Sequence, residues 1–203
     1  MKIICVGRNY RAHAAELKNE VPKEPVLFLK PQTSIPIKGQ PFFYPDFSND
    51  IHYEVEVVVR IKKVGKHIAP EFAHKYYDEL SLGIDFTARD IQAECKKKGL
   101  PWDKAKAFDG SSPVGKFVSK EKFKDMQSID FQLFQNGEKK QDGNSKDMIF
   151  SIDELISYIS GFFTLKIGDL IYTGTPEGVG AVQKGDRLEA VLGGEKVLAI
   201  DIR

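Results

Sequence analysis

The stretch "IHYEVEVVV", residues 51–59, begins with apolar and polar side chains in strict alternation, the pattern of a β-strand with one buried face. The apolar side chains are expected to face the core, whereas His52, Glu54 and Glu56 lie on the opposite face. The strand rise separates the two glutamates by roughly 6.5 to 7 Å at the backbone. Long carboxylate side chains can converge from that distance, and they then repel each other unless a cation lies between them.

Two interpretations of this polar face are open. An antiparallel strand ordinarily shows a polar row to water, and in that case the glutamates serve only solubility. Alternatively, Glu54 and Glu56 face a cation and form part of a site. The rest of the chain must decide between them.

The bulk composition of residues 1–203 suits one globular domain, or one domain with a small appendage, with 41% hydrophobic residues to form a core. Lys and Arg number 30 against 29 Asp and Glu, so neither nucleic acid nor an anionic membrane is expected as the main partner. The two cysteines form no disulfide framework, and the apolar run at the N-terminus is too short for a signal peptide. We therefore expect a cytoplasmic protein.

The pattern along the chain predicts an α+β fold that is mostly β, with a few short helices. Asn9 is expected to cap a first helix, and Thr87 with Asp90 resembles the start of another that ends at Gly99. From residue 111 onward strand-like segments dominate, with hairpin turns at Asn136-Gly137 and at a later Gly-Gly pair, and with one helix at "SIDELISYISGFF".

Asp85 is a third carboxylate of interest, because it ends a predicted strand just before a helix start. An ordinary turn is the simpler interpretation of Asp85 alone. Three carboxylates without cysteine partners suit a hard divalent cation, Mg²⁺ or Mn²⁺, and composition does not separate the two metals.

His13 and Glu16 share a face of the first helix, so the carboxylate can orient the imidazole as a general base; the alternative is a surface pair. Lys106 could stabilise developing negative charge, or could be a surface lysine. The loop "YTGTPEGVGAV", residues 172–182, is able to bring backbone N–H groups close to an anion. The run "CKKKGL", residues 95–100, is typical of a solvated helix end.

Several segments resemble, in order and over almost the whole chain, the fumarylacetoacetate hydrolase family, and most closely its short acylpyruvase and oxaloacetate decarboxylase-like branch. The segments are "GRNYRAHAAE", "FLKPQTS", "HYEVEVVV", "GIDFTARDIQAECKKKGLPWDKAKAFDGSSPVG", "NGEKKQ", "DMIFSIDELISYIS" and "LKIGDLIYTGTPEGVGAVQKGD".

This resemblance implies the family's mixed β-roll, a single catalytic domain and a homodimer. It also implies a role for each matched residue. The metal ligands are Glu54, Glu56 and Asp85, the catalytic residues are His13, Glu16 and Lys106, and the substrate-binding residues are Arg8, Arg89, Gln92 and Thr175.

The leading functional hypothesis is an Mg²⁺- or Mn²⁺-dependent hydrolase that cleaves a C–C bond in 3-acylpyruvate-type 2,4-dioxo acids, such as acetylpyruvate or fumarylpyruvate, through a metal-bound pyruvate enolate. His13, oriented by Glu16, would activate the attacking water, and Lys106 would favour the oxyanion. The acyl group would be selected by residues 17–25 and 86–112.

Three alternatives stay open. The same site could act as an oxaloacetate decarboxylase or keto–enol tautomerase, neither of which needs an attacking water. A metal-dependent phosphodiesterase could use the carboxylates with Lys106. A non-enzymatic β-rich binding module would leave Glu54 and Glu56 solvated.

Overall fold

The computed structural model of the protein describes residues 1–16 and 20–203, and within them thirteen strands form three sheets. The strands are β1 (Ile3–Gly7), β2 (Val26–Lys30), β3 (Ile51–Tyr53), β4 (Val55–Ile61), β5 (Tyr77–Ile84), β6 (Thr87–Ala88), β7 (Val118–Ser119), β8 (Asp130–Gln135), β9 (Glu138–Asn144), β10 (Leu170–Tyr172), β11 (Gly180–Ala181), β12 (Arg187–Leu192) and β13 (Glu195–Asp201). The prediction of a mostly β fold is confirmed.

The largest sheet has six strands in the order β2-β1-β10-β4-β5-β7, and β1 pairs parallel with β10 while the other neighbours are antiparallel. A small sheet has the order β11-β3-β6, and a third has the order β13-β12-β8-β9. The hairpin turns at Asn136-Gly137 and Gly193-Gly194 connect β8 to β9 and β12 to β13, as predicted.

The opening stretch does not form one continuous strand, because Glu54 interrupts it between β3 and β4. β3 belongs to the small sheet and β4 to the large one, so the chain passes from one sheet to the other at this glutamate. The opposite face of β4 is also not a solvated row. Val58 shares that face with Glu56 and is fully buried among side chains of β1 and β10.

Five α-helices lie in the described part of the chain: α1 (Arg11–Glu16), α2 (Pro70–Ala73), α3 (Arg89–Lys98), α4 (Asp103–Lys106) and α5 (Ile152–Phe162). Helix α5 begins with a capping box between Ser151 and Glu154, and its apolar side is buried. Residues 17–19, which begin with Leu17, lie outside the described residues. They are the start of the segment 17–25 that was predicted to help select the acyl group. No helix in the described ranges has both the length and the apolar character to cross a membrane.

Helix α3 ends as predicted, with Gly99 in the left-handed region at φ +65°, but it does not begin as predicted. The Thr87 hydroxyl donates to the Asp85 carbonyl oxygen instead of capping the helix. Asp90 accepts from the Ser48 hydroxyl and from the Asn49 N–H, so it anchors the helix start to the loop before β3. The helix is therefore fixed beside the point where Glu54 interrupts the strand.

Candidate functional site

Three carboxylates converge where β3, β4 and β5 meet. Glu54 and Glu56 flank Val55, and Asp85 directly follows β5. The Asp85 N–H donates to the Glu54 carbonyl oxygen over 2.8 Å, which aligns the two residues. One ligand oxygen of each of Glu54, Glu56 and Asp85 lies within 4.8 Å of the others, and all three residues are at most 5% exposed. The interpretation of the two glutamates as a solvated row is therefore wrong.

Lys106, at the end of α4, lies between two of these carboxylates. Its Nζ donates to Glu54 Oε2 and to Asp85 Oδ2, each over 2.7 Å, and the side chain is buried. Burial alone would lower the pKa of Lys106, but Asp85 and Glu54 outweigh it and raise the pKa above its usual value. Lys106 is thus a charged ammonium group inside the site, and not a surface lysine.

Arg89 contacts the same glutamate from the first turn of α3. Its Nη2 donates to Glu54 Oε1 over 2.5 Å, and its Nη1 donates to Gln92 Oε1 over 2.8 Å. Although burial opposes ionisation, Lys106 and Arg89 together hold the pKa of Glu54 well below its usual range. Glu54 is therefore an ionised carboxylate, and each of its oxygens accepts a hydrogen bond from a basic side chain.

Glu56 has far less positive charge around it. Its Oε2 accepts the Gly174 N–H over 2.8 Å, whereas burial first, and then Asp85 and Glu54, raise its pKa well above the usual value. Within residues 1–16 and 20–203, no basic side chain forms an ion pair with Glu56. Three hard oxygen donors that converge, one of them without a basic partner of its own, fit a divalent cation such as Mg²⁺ or Mn²⁺.

His13 and Glu16 form the predicted pair on α1. His13 Nδ1 lies 3.2 Å from Glu16 Oε2, and Glu16 Oε1 accepts the Gly178 N–H over 3.1 Å. His13 is 5% exposed, so its imidazole is buried, whereas Glu16 lies at the surface. The Glu16 carboxylate favours a proton on Nδ1, which leaves Nε2 as the nitrogen that can accept another proton.

The glycine-rich loop donates its N–H groups to the protein's own carboxylates. Gly174 has φ +98°, and a Cβ there would lie 2.7 Å from the Asn9 Cβ; Gly178 has φ +90°, and a Cβ there would lie 2.3 Å from the Lys140 carbonyl oxygen. Only glycine fits at either position. The predicted anion contact is therefore realised, but its anions are Glu56 and Glu16.

One cavity brings the predicted residues together. It has about 30 Å³ of space for water-sized groups. The lining side chains that bear on the chemistry include the three carboxylates and the predicted substrate-binding residues; they are Arg8, His13, Glu54, Glu56, Asp85, Arg89, Gln92, Lys96, Lys106 and Thr175, with Phe28 and Trp102 among the apolar ones. Of the ten predicted site residues, Glu16 alone is absent from this lining, but it contacts His13, which lines the cavity.

The predicted helix cap at Asn9 is wrong, and the residue has another structural role. Its side-chain amide donates to the carbonyl oxygens of Phe150 and Thr173, and its Oδ1 accepts the Phe150 N–H. These contacts fix the chain just after Arg8, which has a positive φ of 60°. Arg8 is thereby held at the cavity in a conformation that non-glycine residues rarely adopt.

Sequence reasoning missed two further buried residues at the site. Lys30 Nζ lies 2.5 Å from Asp85 Oδ1 and donates to the Ser111 carbonyl oxygen over 3.0 Å. Gln141 Oε1 accepts the N–H of Val55, the residue between the two glutamates, and its Nε2 donates to Thr175 Oγ1 over 2.9 Å. Both residues lie in segments that carry the family resemblance, "FLKPQTS" and "NGEKKQ". Membership in these segments is the sequence feature that could have identified them.

The amino-acid sequence matches a known family along nearly its whole length. The family model described as fumarylacetoacetate hydrolase C-terminal matches residues 2–201. A mitochondrial oxaloacetate tautomerase of Rattus norvegicus is 48% identical over 192 residues, which cover 95% of this chain and 87% of the relative. A mitochondrial oxaloacetate decarboxylase of Dictyostelium discoideum is 44% identical over 194 residues, which cover 95% and 89%.

A solved structure shares the fold. The fumarylpyruvate hydrolase from Pseudomonas aeruginosa, crystallised in complex with Mn²⁺ and pyruvate, superimposes with a TM-score of 0.93 at 36% sequence identity. The match covers 100% of this chain and 89% of that one.

Proposed function

Because this chain belongs to the fumarylacetoacetate hydrolase family, we propose that it is an enzyme that interconverts the keto and enol forms of oxaloacetate through an enolate. The names of the relatives support oxaloacetate over an acylpyruvate, the leading substrate of the sequence analysis. The observation that carries the proposal is one cavity lined by three buried carboxylates, the Lys106 ammonium and the buried His13 imidazole.

The carboxylates of Glu54, Glu56 and Asp85 would hold Mg²⁺ or Mn²⁺. When bound, such an ion supplies a Lewis acid that polarises the 2-oxo group of the substrate. Glu56 must be ionised to serve as a ligand, so a bound ion would oppose the burial and carboxylate repulsion that raise the pKa of this residue.

His13 is the proposed base. With Nδ1 held by Glu16, Nε2 can accept a proton from C3 of oxaloacetate, and the electron pair of the broken C–H bond moves toward the C2 oxygen. Return of that proton from Nε2 to the C2 oxygen gives the enol, and its return to C3 gives the keto form. Lys106 can stabilise the negative charge that develops on the C2 oxygen.

Thr175 is the proposed anchor of the substrate's C1 carboxylate. Gln141 donates to Thr175 Oγ1, so the hydroxyl hydrogen of Thr175 is directed away from Gln141 and can be donated to a carboxylate oxygen. Gln92 is 4% exposed and lines the same cavity. We assign it to the same end of the substrate.

Acylpyruvate hydrolysis is the second candidate, and the oriented His13–Glu16 pair favours it because such a pair can activate a water molecule. A solved neighbour of this chain is itself a fumarylpyruvate hydrolase. Oxaloacetate decarboxylation is a third outcome of the same enolate and is the activity named for the Dictyostelium relative.

A substrate panel tests these functions directly. The purified protein is assayed with MgCl₂ for enol-to-keto conversion of oxaloacetate, followed by ultraviolet absorbance, and for release of pyruvate from oxaloacetate, acetylpyruvate and fumarylpyruvate. We expect tautomerisation to have the highest kcat/KM. Acylpyruvate cleavage with a higher kcat/KM, together with tautomerisation no faster than without enzyme, would overturn the proposal.

The homodimer and the cytoplasmic location expected from the sequence stay predictions. The rat and Dictyostelium relatives are described as mitochondrial, and this location is stated only for those proteins.

A further inference from the structure

The lysine run at the end of α3 is not uniformly a solvated helix end. Lys98 pairs with Glu94 on the outer surface over 2.5 Å, and Lys97 is exposed. Lys96 is exposed as well, but it also lines the cavity of the proposed active site. It follows Arg89 by seven positions and Gln92 by four, so the three side chains share one face of the helix.

Lys96 is part of a group of basic side chains on one side of the cavity. Arg8 and Arg89 line the same cavity, and the Lys96 Nζ lies 5.8 Å from the centre of the Trp102 ring. Burial first, and then repulsion from Arg8 and Arg89, lowers the pKa of Lys96. The three cations thus line one small cavity.

Two of the basic side chains in the lining have no carboxylate of their own. Lys106 and Arg89 are paired with the carboxylate cluster. Within residues 1–16 and 20–203, neither Arg8 nor Lys96 forms an ion pair with an acidic side chain. Four basic and three acidic side chains line the cavity, and a divalent cation would make it more positive still. This surplus of positive charge is unfavourable unless an anionic ligand offsets it.

We propose that Lys96, beside Arg8 and against the Trp102 ring, binds the distal carboxylate of the substrate and makes the site selective for 2-oxo dicarboxylates. The inference rests on the proposed function, because it assumes that the 2-oxo acid end of the substrate lies at the carboxylate cluster. A monocarboxylic 2-oxo acid would leave Lys96 and Arg8 uncompensated. A second carboxylate would neutralise them.

The test compares two four-carbon 2-oxo acids that differ in the distal carboxylate, oxaloacetate and 2-oxobutanoate. Their dissociation constants are measured by isothermal titration calorimetry in MgCl₂ for the wild type, Lys96→Met and Lys97→Met. The methionine keeps the length and the contact with Trp102 but removes the charge, and the neighbouring lysine controls for the loss of one positive charge from the helix end. Melting temperatures check that each variant is folded.

Loss of one charged contact at a partly exposed position is expected to weaken oxaloacetate binding by about tenfold in Lys96→Met. Binding of 2-oxobutanoate should be unchanged in this variant, and Lys97→Met should leave both ligands unaffected. Equal weakening of the two ligands by Lys96→Met, unchanged oxaloacetate binding, or an equal effect of Lys97→Met would overturn the inference, as would a wild type that does not bind oxaloacetate.

Calorimetry measures the binding affinity whether or not the enzyme converts the ligand. A wild type that binds oxaloacetate through Lys96 but does not tautomerise it would contradict the proposed function and leave the inference on Lys96 supported.

Discussion

Lys30 holds Asp85 from the side opposite Lys106. Its Nζ lies 2.5 Å from Asp85 Oδ1, while Lys106 Nζ lies 2.7 Å from Asp85 Oδ2, so each oxygen of this carboxylate faces an ammonium group. The side chains of Lys30 and Asp85 are both at most 1% exposed. Asp85 therefore has its position fixed by buried charges before any ligand arrives.

Replacement of Lys30 by methionine should destabilise the protein. Asp85 Oδ1 would lose its cation while it stays buried, and removal of one partner of a buried ion pair typically costs about 3–5 kcal/mol. Urea unfolding of the metal-free protein measures this loss. Lys38→Met, at an exposed loop position, is the matched control and should change the free energy of unfolding little. An equal unfolding midpoint for the two variants would show that Lys30 does not support Asp85.

Gly174→Ala should damage the carboxylate cluster through the backbone. The added Cβ would meet the Asn9 Cβ at 2.7 Å, so the N–H that binds Glu56 must move. Gly39→Ala is the control, because Gly39 has φ +84° with nothing within 4 Å of its Cβ position and suffers only the conformational cost, about 1–2 kcal/mol. We expect Gly174→Ala to lose more stability in urea and to bind Mn²⁺ more weakly. Equal effects of the two alanines would argue against a clash.

His13→Ala should separate proton transfer from metal binding. Loss of a positioned general base typically lowers turnover by about 10²- to 10⁴-fold, so tautomerisation and any acylpyruvate hydrolysis should fall by that factor. Mn²⁺ affinity should stay at the wild-type value. Decarboxylation should also survive, because it needs no base to activate a water molecule. His74→Ala, at an exposed position, is the control and should leave every activity intact. Equal loss of decarboxylation and hydrolysis would contradict this division of roles.

Asp169 should make stability depend on pH. Although burial opposes its charge, hydrogen bonds from the Lys2 side chain, the Lys2 N–H and the Lys166 N–H lower the pKa of Asp169, which is 1% exposed. A lowered folded-state pKa gives stabilisation that is complete above the unfolded-state pKa, about 3.9, and is lost as the pH falls through the folded-state value. Asp169→Asn should therefore cost about 1.5–3 kcal/mol in urea at neutral pH. The deficit relative to wild type should shrink below about pH 4.

Asp46→Asn, at an exposed position, should show no such deficit at any pH. A deficit of Asp169→Asn that is constant from neutral to acid pH would mean that the Asp169 charge contributes nothing.

The sequence predicted the site residues better than the path of the chain between them. Alternation marked Glu54 and Glu56, and the end of a predicted strand marked Asp85 as a third carboxylate. The resemblance then implied that all three are metal ligands. The interruption at Glu54 could not be predicted from alternation, because it depends on the distant Asp85 N–H that binds the Glu54 carbonyl oxygen and on Gln141, which binds the Val55 N–H. Local pattern does not record partners that lie far along the chain.

Lys30 and Lys96 show the same limit for charges. Lys30 ends an ordinary apolar strand, and nothing near it in sequence indicates that its ammonium group is buried against Asp85. Lys96 belongs to a run of three lysines that looks solvated, and only its helical position relative to Arg89 distinguishes it from Lys97. The hairpin turns and helix α5, in contrast, depend on neighbours in sequence, and these predictions were confirmed.

Titration of the metal-free protein with MnCl₂ by isothermal titration calorimetry tests the central claim most directly, with Glu56→Gln as the variant and the exposed Glu121→Gln as its control. We predict saturable binding to the wild type and to Glu121→Gln, and a loss of affinity in Glu56→Gln beyond the 10- to 100-fold, roughly, that removal of an outer-shell partner causes. Absence of binding to the wild type, or equal affinities for the wild type and Glu56→Gln, would contradict a metal centre formed by Glu54, Glu56 and Asp85.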